Sequence, residues 1–129
     1  MILLDTHVVV WMNGSERKLS RAALSAIRRS ERIGGLAISA ISLVELARLV
    51  ATKRIDPMGT MEETLRRLVE GMTIRPITLE IAAYTAYFPA DFPSDPADRT
   101  IAATAHAENL PLVTADQRMQ DCPLLRTIW

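Results

Sequence analysis

Short apolar runs alternate along this chain with stretches of helical spacing. Ile2 to Leu4, Leu36 to Ser39, Ile74 to Ile77 and Leu112 to Thr114 read as strands, with Leu125 to Trp129 as a fifth. The third run, which carries Pro76, has the weakest pattern. Helices fill the intervals. One runs over residues 20 to 32, from a Ser20 cap to the Gly34-Gly35 stop, and another over residues 43 to 53 after Ser42. Thr60 with Glu63 forms a capping-box signature for a helix reaching about Glu70. Met61, Leu65, Leu68 and Val69 share one face of that helix, and Glu62 and Glu63 are set to pair with Arg66 and Arg67 on the other. A helix from Leu79 to Phe88 stops at Pro89, and Asp95 caps a last one that starts with Pro96 and ends near Asn109. The prolines from Pro89 to Pro96 make the connector between these two helices stiff. Strands alternating with helices predict an α/β domain with a central, mainly parallel sheet of four to five strands flanked by helices.

Composition narrows the picture. A chain of 129 residues has room for one domain, and 49% apolar against 23% charged residues is a globular balance. Fifteen basic side chains face fifteen acidic ones. The resulting zero net charge excludes a protein held to nucleic acid mainly by bulk electrostatics, though not a local basic patch. Cys122 is the only cysteine, which excludes an internal disulfide framework and a cysteine-based zinc cluster. The start of the chain lacks the pattern of a signal peptide, and the most apolar stretch, Leu36 to Ala51, is broken by Glu45 and Arg48. The expectation is a cytoplasmic protein without a membrane segment.

In a parallel sheet, ligands collect at the carboxyl ends of the strands, where helix N-termini also point. Four acidic residues fall at such places. Asp5 ends the first strand, Glu45 lies in the first turn after the second, Asp98 in the first turn of the helix opened by Asp95, and Asp116 just beyond the Leu112 strand. Each also has a structural reading. Glu45 can complete a capping box with Ser42 or pair with Arg48, Asp98 can sit near a helix dipole, and Asp116 can be an N-cap. Asp5 is hardest to assign to structure alone, because aspartate is poorly suited to a strand. Together, carboxylates converging without a lysine or arginine repel one another, and a hard divalent cation relieves that repulsion. Oxygen ligands favour Mg²⁺ or Mn²⁺ over zinc.

The residues Asp5-Thr6, Ser42-Leu43-Val44-Glu45, Asp95-Pro96-Ala97-Asp98-Arg99 and Thr114-Ala115-Asp116, in this order over nearly the whole chain, resemble the signatures of PIN domains. The likeness is greatest to the VapC-type toxins of toxin–antitoxin pairs. It implies one PIN-like nuclease domain over residues 1–129. Asp5, Glu45, Asp98 and Asp116 match the catalytic, metal-binding acids, and Thr6, Thr114 and Arg99 match supporting positions. Ala97 departs from the large apolar residue often found there. The resemblance further implies a Mg²⁺-dependent endoribonuclease, with Mn²⁺ as a substitute, in which water activated by the ion attacks and the 3′ oxygen leaves. Implied partners are an RNA substrate, most commonly transfer RNA, a VapB-type antitoxin and a second copy of the chain. The alternative is a catalytically idle PIN-like dimer acting as a binding module. A receiver or haloacid-type phosphoryl-transfer site fits poorly, since Thr6 and His7 follow Asp5, and no Gly-x-Gly-x-x-Gly turn supports dinucleotide binding.

Other residues are read more plainly. His7 is close enough to Asp5 to touch the site, yet a surface or packing role is the simpler account, as it is for His106. Cys122 reads as a small core residue. Alanines 102, 103, 105 and 107 predict a helix lying close against its neighbour. The helix beginning at Leu43 is apolar on all sides, which predicts burial on all sides, through a partner or the core. Arg28, Arg29 and Arg32 form a basic cluster suited to phosphate or to a solvated helix end.

Overall fold

The computed structural model describes residues 1–129. Its elements are β1 (Ile2–Leu4), α1 (Thr6–Met12), a short 3-10 turn (Glu16–Lys18), α2 (Arg21–Arg32), β2 (Leu36–Ser39), α3 (Ala40–Ala51), α4 (Met61–Leu68), β3 (Met72–Arg75), α5 (Leu79–Tyr84), α6 (Pro96–Ala107), β4 (Leu112–Val113), α7 (Gln117–Gln120) and β5 (Thr127–Ile128). The five strands form one sheet in the order β3-β2-β1-β4-β5, with every neighbouring pair parallel. From β1 the chain moves outward to β2 and β3 on one side, then returns to place β4 and β5 on the other. The strand order therefore switches direction between β1 and β4, the position where parallel sheets open a crevice.

Strand alternation divides the core in two. Ile2, Leu4, Leu36, Ile38 and Val113 face one side, with Val8 and Val9 of α1, Ala23 and Ile27 of α2, and Leu46 and Val50 of α3. Leu3, Ala37 and Leu112 face the other, with Ile81, Phe88, Phe92, Ile101, Met119 and Cys122. Both faces are covered, so β1 and β2 read as unbroken apolar runs with no polar face. On α6, Ala102 and Ala103 are fully buried and Ala105 nearly so, and their small side chains let the helix approach α3 and α5 closely. Cys122 is buried in the same cluster.

Several boundaries differ from the sequence expectation. Helix α1 departs from it because Val8-Val9-Val10 are β-branched and favour strand locally. The Asp5 cap and burial of two of the valines outweigh that preference. Helix α3 begins at Ala40, with Ser39 as its cap, so the Ser42–Glu45 capping box does not form and Glu45 lies in the second turn. Strand β3 is Met72–Arg75 rather than residues 74 to 77, since Pro76 cannot donate to the ladder. Helix α5 stops at Tyr84, β4 at Val113, and β5 shrinks to two residues.

The Thr60 capping box forms as expected, but Glu63 is used in it, and neither anticipated ion pair to Arg66 or Arg67 is present. Helix α3 is not buried on all sides. Val44 is 59% exposed, and Arg48 and Ala51 continue its exposed stripe. At Gly34, with φ of 93°, a Cβ would lie 2.6 Å from the Met1 backbone nitrogen. The turn into β2 therefore packs against the start of β1 and needs a glycine. No helix is long and apolar enough to cross a membrane.

Candidate active site

Asp5 ends β1 and caps α1. Its backbone nitrogen donates to Val113 O (3.0 Å), and its side chain accepts from Thr6 N through Oδ1 (2.8 Å) and from the Thr114 hydroxyl through Oδ2 (2.8 Å). The Thr114 bond crosses the gap between β1 and β4, so it holds the carboxylate at the topological switch. Thr114 Oγ1 in turn accepts from Asp116 N (3.1 Å). One hydroxyl thereby fixes Asp5 and the loop that carries Asp116.

Glu45 reaches the same place from α3. The Thr6 hydroxyl donates to Glu45 Oε1 (2.5 Å), and Ser42 Oγ lies 2.9 Å from that hydroxyl. A hydroxyl has one proton, so with Thr6 donating to Glu45, Ser42 donates to Thr6. Ser42 is fully buried. Its part in the site is hidden in the sequence, because a serine one turn before a glutamate reads as a cap.

Asp98 stands in the first turn of α6, opened by Pro96 and capped by Asp95, whose Oδ1 accepts from Ala97 N (2.8 Å). Burial and the surrounding carboxylates Asp95, Asp5, Glu45 and Asp116 push its pKa up from the usual 3.8 to about 7. Asp5 is raised too, chiefly because it is buried, against the downward pull of the Thr114 hydrogen bond. Glu45 is raised by burial, against the Thr6 hydrogen bond and with Asp5 and Asp95 adding to the rise. All three carboxyls are thus costly to ionise for the same two reasons, lost water and one another's charge. The four predicted acids come together at the carboxyl edge of the sheet, near enough that Asp5, Glu45 and Asp116 all act on Asp98. Asp95 is a fifth member that sequence reasoning reads only as a cap. Beside them a groove of about 450 Å³ runs between α3 and the start of α6, lined by Ile41, Val44, Glu45, Arg48, Asp95 and Ala97, among others.

No lysine or arginine pairs with Asp5, Glu45, Asp95 or Asp98. The chain has two ion pairs, Arg75–Glu108 and Arg118–Asp116, and the second is a long contact of 3.8 Å at the rim. Glu45 does not pair with Arg48. Asp116 caps α7, with Oδ1 accepting from Arg118 N (2.9 Å) and Met119 N (3.4 Å), so its structural reading holds while its charge still bears on Asp5 and Asp98. Arg99 turns away from the carboxylates. It donates to the carbonyls of Pro93, Thr85, Phe88 and Pro89 and lies over the Phe92 ring, so it ties down the proline-rich connector. His7 is exposed, next to Trp11, and lies near enough to Asp5 and Glu45 to pull their pKa values down. His106 packs on Tyr84 and sits 3.0 Å from Leu124 O, a structural position.

These carboxylates are the residues that could hold a hard divalent cation. Their oxygens are the right donor type, and a positive ion would relieve the repulsion that raises their pKa values. No three of the His, Cys, Asp and Glu side chains stand in a ready-made cage.

The model of the PIN domain matches residues 2–123. The chain belongs to the PIN-domain family. This PIN domain is 38% identical over 130 residues to Ribonuclease VapC22 of Mycobacterium tuberculosis (strain ATCC 25618 / H37Rv), covering 99% of this chain and 98% of that protein. That likeness places it with the VapC-type members. Among solved structures it is similar to a chain in the crystal structure of VapBC2 from Rickettsia felis bound to a DNA fragment from their promoter. There the TM-score is 0.75 at 20% identity, covering 98% of this chain and 97% of that one. It is also similar to a chain of FitAcB from Neisseria gonorrhoeae, with a TM-score of 0.65 at 26% identity, covering 98% of this chain and 96% of that one.

Proposed function

We propose that this PIN domain is the ribonuclease toxin of a toxin–antitoxin pair, hydrolysing RNA phosphodiesters at the acidic crevice with Mg²⁺, or Mn²⁺ in its place. The supporting observation is the set of carboxylates from four separate segments around one sheet edge, uncompensated by any buried cation, with Asp5, Glu45 and Asp98 raised in pKa. The relative named Ribonuclease VapC22 supports the same reading.

Asp5, Glu45, Asp98 and Asp116 would hold the ion. When bound, it would lower the pKa of water and screen the phosphodiester's charge. The chain's own residues then orient the reactants. Thr114 and the Thr6 amide hold one oxygen each of the Asp5 carboxylate, while Thr6, backed by Ser42, holds Glu45. Asp98 accepts no hydrogen bond from the protein, so its carboxylate is the freest to turn toward a ligand. The hydroxyls of Thr6, Ser42 and Thr114 are committed to holding the carboxylates, which fits direct attack by water, departure of the 3′ oxygen and a 5′-phosphate product.

The partners follow from this role. They are an RNA substrate, with transfer RNA the first to test, a VapB-type antitoxin that covers the crevice, and a second copy of the chain, all in the cytoplasm. The test is incubation of the partner-free protein with total RNA and Mg²⁺ or Mn²⁺, beside Asp5→Asn and Asp98→Asn. Metal-dependent cleavage lost in both variants, with each still unfolding in one cooperative transition, is the expected result. Cleavage persisting in EDTA would overturn the mechanism. RNA left whole across varied substrates would favour the idle binding module.

A further inference from the structure

Four of the thirteen arginines are tied to the rest of the protein and nine are not, and four of those nine share one helix face. Arg75, Arg99, Arg118 and Arg126 are tied to carboxylates or carbonyls. Four on α2 are tied to nothing. Arg21, Arg28, Arg29 and Arg32 are exposed, make no ion pair and donate no hydrogen bond to the protein. At 3.6 residues per turn they fall, with Ser25, within a stripe about 100° wide. That stripe lies opposite Ala23, Ile27 and Ser30, which face the core.

The row from Arg21 to Arg32 is about 16 Å long at 1.5 Å per residue. A shallow groove of about 310 Å³ runs along it, lined by these four arginines with Leu24 and Ser25. Residues 16 to 32 hold six of the fifteen basic side chains and only two acids, Glu16 and Glu31. The neutral total therefore hides a strongly positive flank. None of the crevice acids lines this groove, and its far end lies at the opposite edge of the sheet. The end of α2 turns through Gly34 and Gly35 against Met1 and Ile2, at the amino edge of the sheet, whereas the carboxylates stand at its carboxyl edge.

We propose that the outer face of α2 is a second contact surface for the RNA, a track that grips phosphates outside the cleavage crevice. The choice of RNA as the polymer rests on the ribonuclease reading above. Guanidinium groups match phosphate oxygens two at a time, and all four cations of the row are arginine. A protein partner would want an apolar or aromatic centre in its patch, and this stripe has only Leu24 at its margin. A single strand running over the row would present several phosphates, so each arginine adds salt-sensitive affinity without reading sequence. Long substrates gain from the track, and fragments too short to reach α2 do not.

The test measures binding in EDTA, where no cutting is expected, of a labelled single-stranded RNA of about 30 nucleotides, over a series of salt concentrations. The proteins are the wild type, the fourfold Arg21→Ala, Arg28→Ala, Arg29→Ala, Arg32→Ala variant, and an Arg66→Ala, Arg67→Ala control on α4. Alanine favours helix, so the variants should give unchanged circular dichroism and melting. The α2 variant is expected to lose at least tenfold in affinity. Its salt slope should shrink by about 3, at about 0.7 for each phosphate that an arginine no longer neutralises. The control should keep both.

Equal affinity and slope in wild type and α2 variant would overturn the proposal. So would tighter binding of a DNA strand of the same sequence, or a matching loss of affinity for polyglutamate. The ribonuclease reading is judged separately, by cleavage with metal. RNA bound through α2 but never cut keeps the track and removes that reading, while cutting with no dependence of binding on α2 does the reverse.

Discussion

Asp98→Asn should make the metal-free protein more stable at alkaline pH, although it removes a charged residue from the surface of a helix. In the fold, the Asp98 pKa rises from 3.8 to about 7, because burial and four neighbouring carboxylates oppose its charge. A carboxyl raised in this way holds its proton in the folded chain over a pH range in which the unfolded chain has lost it. Its contribution is therefore fully present below the unfolded pKa and lost as pH rises through the folded one. The shift of about 3 units, at about 1.4 kcal/mol each, sets an upper bound of about 4 kcal/mol. Asp98 is partly exposed. Solvent screening at such a site reduces the expected loss to about 1–2 kcal/mol. Asparagine does not titrate and escapes that loss.

Thermal melts in EDTA at about pH 4 and about pH 8 should bring this out. The variant should melt about 3–8 °C above wild type at the higher pH, at roughly 3–4 °C per kcal/mol for a domain of this size. The gap should narrow or vanish at the lower pH, where Asp98 is neutral in the fold. Adding Mg²⁺ at about pH 8 should reverse the order, since an ion at a hundred times its Kd stabilises by about 2.7 kcal/mol and the variant binds it less well. Identical pH dependence in the two proteins, or an Asp98→Asn protein less stable in EDTA at alkaline pH, would refute the account of repelling carboxylates.

Other substitutions test single contacts. Thr114→Val removes the hydroxyl that holds Asp5 and should cost about 1–3 kcal/mol in urea unfolding. It should also raise the Asp5 pKa further, so that the deficit grows with pH. Asp116→Asn keeps an oxygen to cap α7, whereas Asp116→Ala does not; the alanine alone should lose about 1 kcal/mol, while both should lose metal-dependent cleavage. Arg99→Lys should leave Pro89–Ser94 open to limited proteolysis nearly as much as Arg99→Ala, since an ammonium cannot span the carbonyls that the guanidinium joins. Leu46→Ala, in the core under the Glu45 helix, should cost about 2–5 kcal/mol, read as a lower urea midpoint.

Much of the architecture is legible from short-range pattern. Capped helices, such as the one from Ser20 to the Gly34 stop and the one opened by the Thr60 capping box, declare themselves because capping is local chemistry. So do β1 and β2, whose burial on both faces demands unbroken apolar runs. Helix α1 is hidden because its valines favour a strand and only packing makes them helical. The start of α3 is misplaced by the sequence, which points to Ser42 as the cap, whereas the structure caps the helix with Ser39. Ser42 is taken by Thr6, 36 residues away.

Within the crevice, the acids at Asp5, Glu45, Asp98 and Asp116 can be named from their places after strands and at helix starts. Their supports cannot. The Thr114–Asp5 bond spans 109 residues, and Arg99 binds carbonyls of a connector whose course no periodicity describes.

The order of apolar and polar residues thus determined the α/β class, most of the elements and which carboxylates lie at strand ends, because those are consequences of period and capping within a few residues. Tertiary structure decided that the sheet is wholly parallel and that its order reverses between β1 and β4. It also decided that the carboxylates face one another closely enough to shift their protons. Charge repulsion depends on distance in space, and only the folded chain sets that distance.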